Sequence, residues 1–245
     1  MKKVLFAFLI AFAGFSTGCE QILQVANEVY GAEAAPSSNE MINGLKEALA
    51  NGTASAVTGL NKEDGFFKDP LVRIPFPQEA AFVANTLNDI GLGSLVDDFE
   101  RLLNRGAENA ASAALPIFKS AITNMTFADA KNILLGGENA ATQYFEGRTR
   151  TQLYSAFSPH VKTSLDRVNA TKTWTDITTR YNAIPLTNRK VETDLVKYAT
   201  DKALDGLFLK IAGEEKKIRE DPIARASELL KKVFGYADSQ KSGSN

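Results

Sequence analysis

The chain has 245 residues and a formal net charge of −1, because 28 basic residues nearly balance 29 acidic ones. This balance leaves no basic footprint for nucleic acid, so a nucleic-acid partner is not expected. Cys19 is the only cysteine, which excludes an intramolecular disulfide and any metal or redox site built from paired cysteines.

The N-terminus has the pattern of a bacterial secretory signal. Lys2 and Lys3 precede an apolar run, Val4 to Phe15, that is too short to span a bilayer but suits a signal peptide. The segment Ser16-Thr17-Gly18-Cys19 resembles a lipobox, the site at which bacterial lipoproteins are acylated on cysteine and cleaved, with Ser16 where Leu is usual. We expect residues 1–18 to be a removed signal peptide and Cys19 to be the lipidation site.

Lipidation would make the membrane a partner, through acyl chains such as palmitate on Cys19. Each buried methylene adds about 0.8 kcal/mol of membrane affinity, so two or three chains hold a protein almost permanently. Glu20 rather than Asp follows the cysteine, and the resemblance to the usual sorting rule implies the periplasmic side of a Gram-negative outer membrane. The alternative is a soluble periplasmic protein cleaved after Ala32-Glu33-Ala34, which lies far beyond the apolar run.

Composition divides the rest of the chain into three parts. Residues 19–39 end in small and polar residues with one proline, which is typical of a flexible tether. Residues 40–235 are sufficient for one substantial hydrophobic core. Residues 236–245 are polar, and we expect a disordered tail.

Apolar residues at spacings of three and four predict helices throughout residues 40–235, so the expected fold is all-α, a single compact bundle-like domain. Ser158-Pro159 is expected to start one helix, Asp221-Pro222 to start the last, and Gly235 to end it. The charged run Glu214 to Glu220 is interpreted as a solvated face that includes a Glu215–Arg219 ion pair.

A loop rich in proline and aromatic residues is expected between Asp64 and Pro77. We expect its apolar side chains to plug the core; the alternative is an exposed apolar lip that meets a lipid, a ligand or a partner. Val72 to Ile74 could pair with Val191 in a minimal two-stranded ribbon. The apolar residues concerned are Phe66, Phe67, Leu71, Ile74 and Phe76.

The central stretch, Thr126 to Arg150, is predicted to form two helices separated at Gly136-Gly137. Thr126 and Asp129 have the spacing of a helix-starting cap, whereas adjacent glycines cost roughly 1 kcal/mol each inside a helix and favour a corner. A helix N-terminus after two glycines could hold an anion, although no phosphate-loop sequence follows. Tyr144 and Phe145 lie on the apolar strip of the second helix, with Arg148 and Arg150 mostly outside.

Several segments between about Glu40 and Gly235 carry a family resemblance: Gly65–Pro70, Val72–Pro75, Gly136-Gly137 with Ala140–Phe145, Lys202–Phe208, Glu214–Pro222 and Leu229–Gly235. Together they resemble the bacterial family of unknown function DUF4197. The resemblance implies a helical envelope domain, commonly behind a signal peptide, and supplies no catalytic residues.

No catalytic motif, cofactor fingerprint or metal-ligand pair is recognisable, so neither a cofactor nor a metal is expected. His160, the only histidine, is interpreted as a surface or packed residue. The favoured hypothesis is a non-catalytic, lipid-anchored periplasmic module that binds a hydrophobic ligand or another envelope protein. The alternative is a carboxylate-based hydrolase of envelope material. The candidate contact residues are Phe66, Phe67, Gly136, Gly137, Tyr144, Phe145 and Arg148.

Overall fold

A computed structural model describes residues 35–183 and 194–242. The expected signal peptide, Cys19 and the tether up to residue 34 lie outside the described residues, as do Val191 and residues 243–245. The helices lie within one compact unit, Pro36–Asn245.

The described residues fold almost entirely into helices, as the periodicity predicts. The α-helices are α1 (Ser38–Leu60), α2 (Ala81–Asp89), α3 (Gly93–Ala110), α4 (Leu115–Thr123), α5 (Phe127–Leu134), α6 (Ala140–Arg167), α7 (Ala170–Asn182), α8 (Leu195–Glu220) and α9 (Glu228–Ser242). Short 3₁₀ turns, Gln78–Ala80, Ala111–Ala114 and Pro222–Ala224, lead into α2, α4 and α9. The all-α prediction is confirmed.

The two long helices α6 and α8 pack against each other at the centre of the domain. Helix α6 also contacts α3, α4, α5 and α7, and α8 also contacts α1. Gly106 of α3 allows a close approach to α6, because a Cβ built there would come within 2.4 Å of the Leu165 side chain. Helix α6, which follows Gly136-Gly137, is thus one of the two central helices of the fold.

Most predicted apolar stripes point into one core. Leu45, Leu49 and Leu60 of α1 are buried, as are Val83 and Leu87 of α2. Helix α2 ends at a turn in which Gly91 has φ +78°, a left-handed conformation that glycine adopts without strain. These elements follow directly from local sequence.

The predicted helix start at Ser158-Pro159 is wrong, because α6 runs through Pro159 without interruption. Pro159 is exposed, so water can bond the carbonyl that loses its helical partner. On the opposite side Phe157, Val161 and Leu165 are buried. Packing of this face holds the helix together across the proline.

The predicted end of the domain also differs from the structure. Asp221-Pro222 begins a 3₁₀ turn rather than the last helix, and α9 continues past Gly235 to Ser242. The expected disordered tail is thus helical as far as Ser242. The helix continues because Ala237 is buried and Asp238 pairs with Arg225, which offsets the roughly 1 kcal/mol cost of an internal glycine.

No β-strand occurs within the two described ranges, and Val72 lies in a turn. The second half of the suggested ribbon, at Val191, falls outside those ranges. None of the described helices combines the length and apolar character needed to cross a bilayer.

Candidate functional site

The corner at Gly136-Gly137 brings two helix ends together. Helix α5 ends at Leu134 and α6 begins at Ala140, and a Cβ at Gly136 would lie 2.7 Å from that of Ala140. The last carbonyls of α5 and the first amides of α6 cannot bond within their own helices. Because Ile133 and Leu134 on one side and Ala141 and Thr142 on the other are buried, their backbone groups need partners from elsewhere in the protein.

Glu215 of α8 supplies acceptors for the start of α6. Its carboxylate accepts hydrogen bonds from the Ala141 amide at 3.0 Å, the Thr142 amide at 2.8 Å and the Thr142 hydroxyl at 2.8 Å. A negative charge at a helix N-terminus is also favoured by the helix dipole. The anion that the sequence suggested for this corner is therefore a side chain of the protein itself.

Arg219, one turn later on α8, supplies donors for the end of α5. Its guanidinium donates to the Ile133 carbonyl at 2.8 Å and the Leu134 carbonyl at 3.2 Å, and its Nε donates to Glu215 at 2.9 Å. Both charged side chains are buried. We call Glu215 and Arg219 the corner clamp, since together they fix both helix ends to α8.

The corner clamp corrects the interpretation of Glu214 to Glu220 as a solvated face. The ion pair between Glu215 and Arg219 is present as expected, but both members lie in the core. Lys216 and Lys217, by contrast, are exposed. The missed signal is positional: Glu215 follows the buried residue Ile211 by one helical turn, on the stripe that faces inward.

A second polar cluster holds the loop that contains Phe66 and Phe67. Glu100, Asn104 and Glu108 lie one turn apart on α3 and all bond to loop backbone; we call them the loop clamp. Glu108 accepts from the amides of Phe66 and Phe67, both at 3.1 Å. Its other oxygen accepts from Arg105, whose guanidinium also reaches Asp64 at 2.8 Å.

The rest of the loop clamp holds the second half of this loop. Asn104 accepts from the Ile74 amide and donates to the Ile74 carbonyl, both at 2.8 Å, and Glu100 accepts from the Phe76 amide at 2.9 Å. These bonds replace the pairing that a strand would have provided. The spacing of Glu100, Asn104 and Glu108 is visible in the sequence, but the loop as their target is not.

The loop plugs the core, as the sequence predicts, except at Leu71. Phe66, Ile74 and Phe76 are buried and Phe67 is half-buried. The prediction for Leu71 is wrong, because its side chain lies in a turn and is 72% exposed. Gly206 of α8 allows the loop to lie directly on that helix, since a Cβ there would come within 2.9 Å of the Phe66 ring. Phe66 is therefore a packing residue, and Phe67 is covered on one face by the Arg73 guanidinium, 4.6 Å from its ring centre.

Tyr144, Phe145 and Arg148 separate into core and surface. Phe145 is buried, whereas the Arg148 guanidinium lies 5.3 Å from the Tyr144 ring centre and 3.8 Å from the Asp129 carboxylate. Asp129 also completes the predicted cap with Thr126. The Thr126 hydroxyl is the main cause that lowers the pKa of Asp129, while partial burial raises the pKa of Tyr144. Arg148 thus already has an intramolecular carboxylate beside it.

The pocket beside the corner clamp is small. It measures about 20 Å³ and lies between α1, α8 and α9. That volume holds about one water molecule, whereas a drug-sized ligand needs roughly 300 Å³ or more. The pocket that Glu215 and Arg219 border is therefore too small for such a ligand.

An open groove of about 570 Å³ lies on the surface between α1 and α4. Ala50, Leu115 and Ile122 contribute apolar surface to it, and Lys46 crosses one end by donating to the Thr123 carbonyl at 2.7 Å. We call it the α1–α4 groove. Its lining residues are Lys46, Glu47, Ala50, Thr53, Leu115, Lys119, Ile122 and Thr123.

The positions of carboxylates and of possible metal ligands bear on whether the protein could be a catalyst. Glu215 is the carboxylate that borders the pocket beside the corner clamp, and Glu47 is the one that lines the α1–α4 groove. Among the described residues, no group of three His, Cys, Asp or Glu side chains is placed to hold a metal ion. His160 is exposed on α6.

Comparisons with known proteins give one match. Neither the curated proteins nor the solved structures contain a significant match to this chain. A family described as "Protein of unknown function (DUF4197)" matches residues 35–235, which include every described helix except the end of α9. The chain therefore belongs to the DUF4197 family.

Proposed function

We propose that this protein is a non-catalytic lipoprotein of the outer membrane, anchored by acyl chains on Cys19, and that it binds an apolar segment of another envelope protein. The anchor is supported by the signal-like N-terminus and by Cys19 as the single cysteine. The binding role is supported by one observation above the others, the open and largely apolar α1–α4 groove.

The volumes of the pocket beside the corner clamp and of the α1–α4 groove favour a protein segment over a small hydrophobic ligand. Small-molecule sites usually enclose most of the ligand surface, but the pocket beside the corner clamp is only about 20 Å³. The α1–α4 groove is about 570 Å³ and open to solvent. A groove between two helices suits the side chains of an added helix, which dock as anchors spaced three or four residues apart.

The alternative function, a hydrolase that uses carboxylates, needs two acids that face one substrate. Among the described residues, Glu47 is the only acid that lines the α1–α4 groove. Glu215, beside the corner clamp pocket, already accepts hydrogen bonds from helix amides and pairs with Arg219. No specific observation favours this alternative.

Site-specific photocrosslinking in intact cells tests the proposal. A photoreactive amino acid at Leu115, 38% exposed in the groove, is expected to give a discrete adduct with one envelope protein. The matched position is Leu209, 47% exposed but on α8 and outside the groove. Equal labelling from both positions, or none from Leu115, would overturn the binding role. Mass spectrometry of the extracted protein tests the acyl chains on Cys19 separately.

A further inference from the structure

The most exposed large apolar side chain of the described residues lies in the turn between α8 and α9. Ile223 is 91% exposed, and Pro222 and Ala226 beside it are also exposed. We call Asp221–Ala226 the Ile223 turn. Together with Arg225 and Lys231 its apolar residues border an open depression of about 620 Å³.

The Ile223 turn is firmly held in place. The Asp221 carboxylate accepts the Ile223 amide at 2.8 Å. Beneath the turn, the buried Arg225 donates to the carbonyls of Ile218 and Arg219 at 3.0 and 2.8 Å and pairs with Asp238 at 2.8 Å. The turn therefore presents Ile223 to solvent as a fixed feature, without the conformational cost of ordering a loose loop.

The turn lies beside the place where the chain enters the domain. Lys231 borders the depression, and the next residue, Lys232, donates to Glu40 at 2.6 Å. Glu40 closes the capping box with Ser37 at the start of α1, and the neighbouring Pro36 is buried. Ser37 and Glu40, at the start of α1, are thus linked to α9 one residue from the depression that Ile223 borders.

In the proposed function, the anchor is attached through the residues that precede this end of α1. Ser37 follows Cys19 by only 18 positions in the sequence, a span of at most about 65 Å when fully extended. A short tether holds the domain at a high effective concentration near the bilayer, so even a weak contact is populated. From this position and exposure we propose that the Ile223 turn contacts the lipid bilayer, with Ile223 and Pro222 at the boundary of headgroups and acyl chains. The proposal rests on the anchor in the proposed function.

The charges around the turn indicate the kind of contact. Glu220 lies 3.6 Å from Lys216, and Glu228 lies 2.7 Å from Lys231, so acids and bases balance locally. The contact is therefore apolar in origin and changes little with salt, unlike the binding of a basic patch to anionic lipids.

A depth-sensitive fluorescent probe tests this contact in the full-length lipidated protein. In Ile223→Cys the new residue carries the only free thiol, because acylation consumes the thiol of Cys19, and it is labelled with an environment-sensitive dye. The protein is inserted into vesicles of phosphatidylethanolamine and phosphatidylglycerol that contain nitroxide-labelled lipid. The matched control is Ile90→Cys, since Ile90 is 55% exposed at the end of α2, which packs on α3 and α7 rather than on α1 or α9.

Interfacial apolar residues reach about 5–10 Å into the membrane boundary, so we expect nitroxide quenching at Ile223 to exceed that at Ile90 by roughly threefold, with little change in high salt. Equal quenching at the two positions in protein that floats with the vesicles would overturn the contact but leave the anchor intact. Protein that neither floats nor carries acyl mass would instead overturn the anchor and the contact with it. A quenching difference that disappears in high salt would contradict the apolar mechanism.

Discussion

The corner clamp and the loop clamp solve the same problem with different chemistry. Each uses side chains of a long helix to bond backbone groups that have no secondary-structure partner. At the corner, the partners are helix ends, and a buried ion pair, Glu215 with Arg219, satisfies both. At the loop, the central member is the neutral and fully buried Asn104, while Glu108 is also buried and Glu100 lies nearer the surface.

The difference follows from the electrostatics of the groups that are held. Helix ends carry partial charges of opposite sign, so a carboxylate and a guanidinium complement them. An irregular loop presents both an amide and a carbonyl with no net dipole, which a single carboxamide can bond at once, as Asn104 does with Ile74. At the corner both members of the ion pair are buried, whereas at the loop the buried Glu108 pairs with Arg105, which stays partly exposed.

The largest effect is expected from breaking the corner clamp. Arg219→Met leaves the Glu215 charge buried and two helix carbonyls without donors, so we expect a loss of about 3–5 kcal/mol in the free energy of unfolding, measured with urea. Lys217→Met, on an exposed face of the same helix, should change it by less than about 0.5 kcal/mol. Adding Glu215→Gln to Arg219→Met should recover part of the loss. Similar effects for Arg219→Met and Lys217→Met would show that the clamp contributes little.

The loop clamp should be weaker, since its central member is neutral. Asn104→Ala leaves the buried amide and carbonyl of Ile74 unpaired, and we expect a loss of about 2–3 kcal/mol. Amide exchange should rise first in residues 66–76. Asn109→Ala is the control on the same helix, because Asn109 is exposed. If Asn104→Ala destabilised the protein more than Arg219→Met, the proposed contrast between the clamps would be wrong.

Gly206 and Gly213 of α8 differ in the space available for a side chain, which extends the comparison from hydrogen bonding to packing. Gly206→Ala forces a methyl group against the Phe66 ring and Val72, and we expect a loss of about 1–3 kcal/mol. Gly213→Ala meets nothing within 4 Å, so the higher helix propensity of alanine should add about 0.5–1 kcal/mol. In thermal unfolding, we expect the melting temperature to fall for Gly206→Ala and to rise for Gly213→Ala. A stabilised Gly206→Ala protein would mean that the loop can move away from α8.

The smallest effect concerns an exposed pair, Glu40 with Lys232. The hydrogen bond from Lys232, followed by that from the Ser37 amide, lowers the pKa of Glu40 to about 2. Because the pKa is depressed in the folded state, the stabilisation is present above the unfolded pKa of about 4.3 and is lost as pH falls towards 2. Urea midpoints of wild type and Glu40→Gln should therefore differ slightly at pH 6 and converge near pH 2. If the two midpoints differed by the same amount at every pH in this range, the ionised form of Glu40 would not contribute to stability.

Local patterns were sufficient for the regular parts of this fold. The stripe Leu45–Leu49–Leu60, the cap formed by Thr126 with Asp129 and the break at Gly136-Gly137 depend on neighbours a few residues away, and all three are present. The candidate site was less accessible, because polar residues such as Glu215 and Asn104 become buried only when a distant segment needs their hydrogen bonds. Pro159 illustrates the same limit, since its effect on the helix depends on which side faces solvent.

The sequence by itself determined an all-helical domain, because helix periodicity and caps are set by interactions within one or two turns. Its motifs also identified the DUF4197 family. Only the tertiary structure decided which charges face inward, since Glu215 and Lys216 are adjacent in sequence yet one is buried and the other exposed. The free energy of burying a charge depends on partners such as the amides of Ala141 and Thr142, more than seventy residues away. Such partners are brought into reach only when the chain has folded.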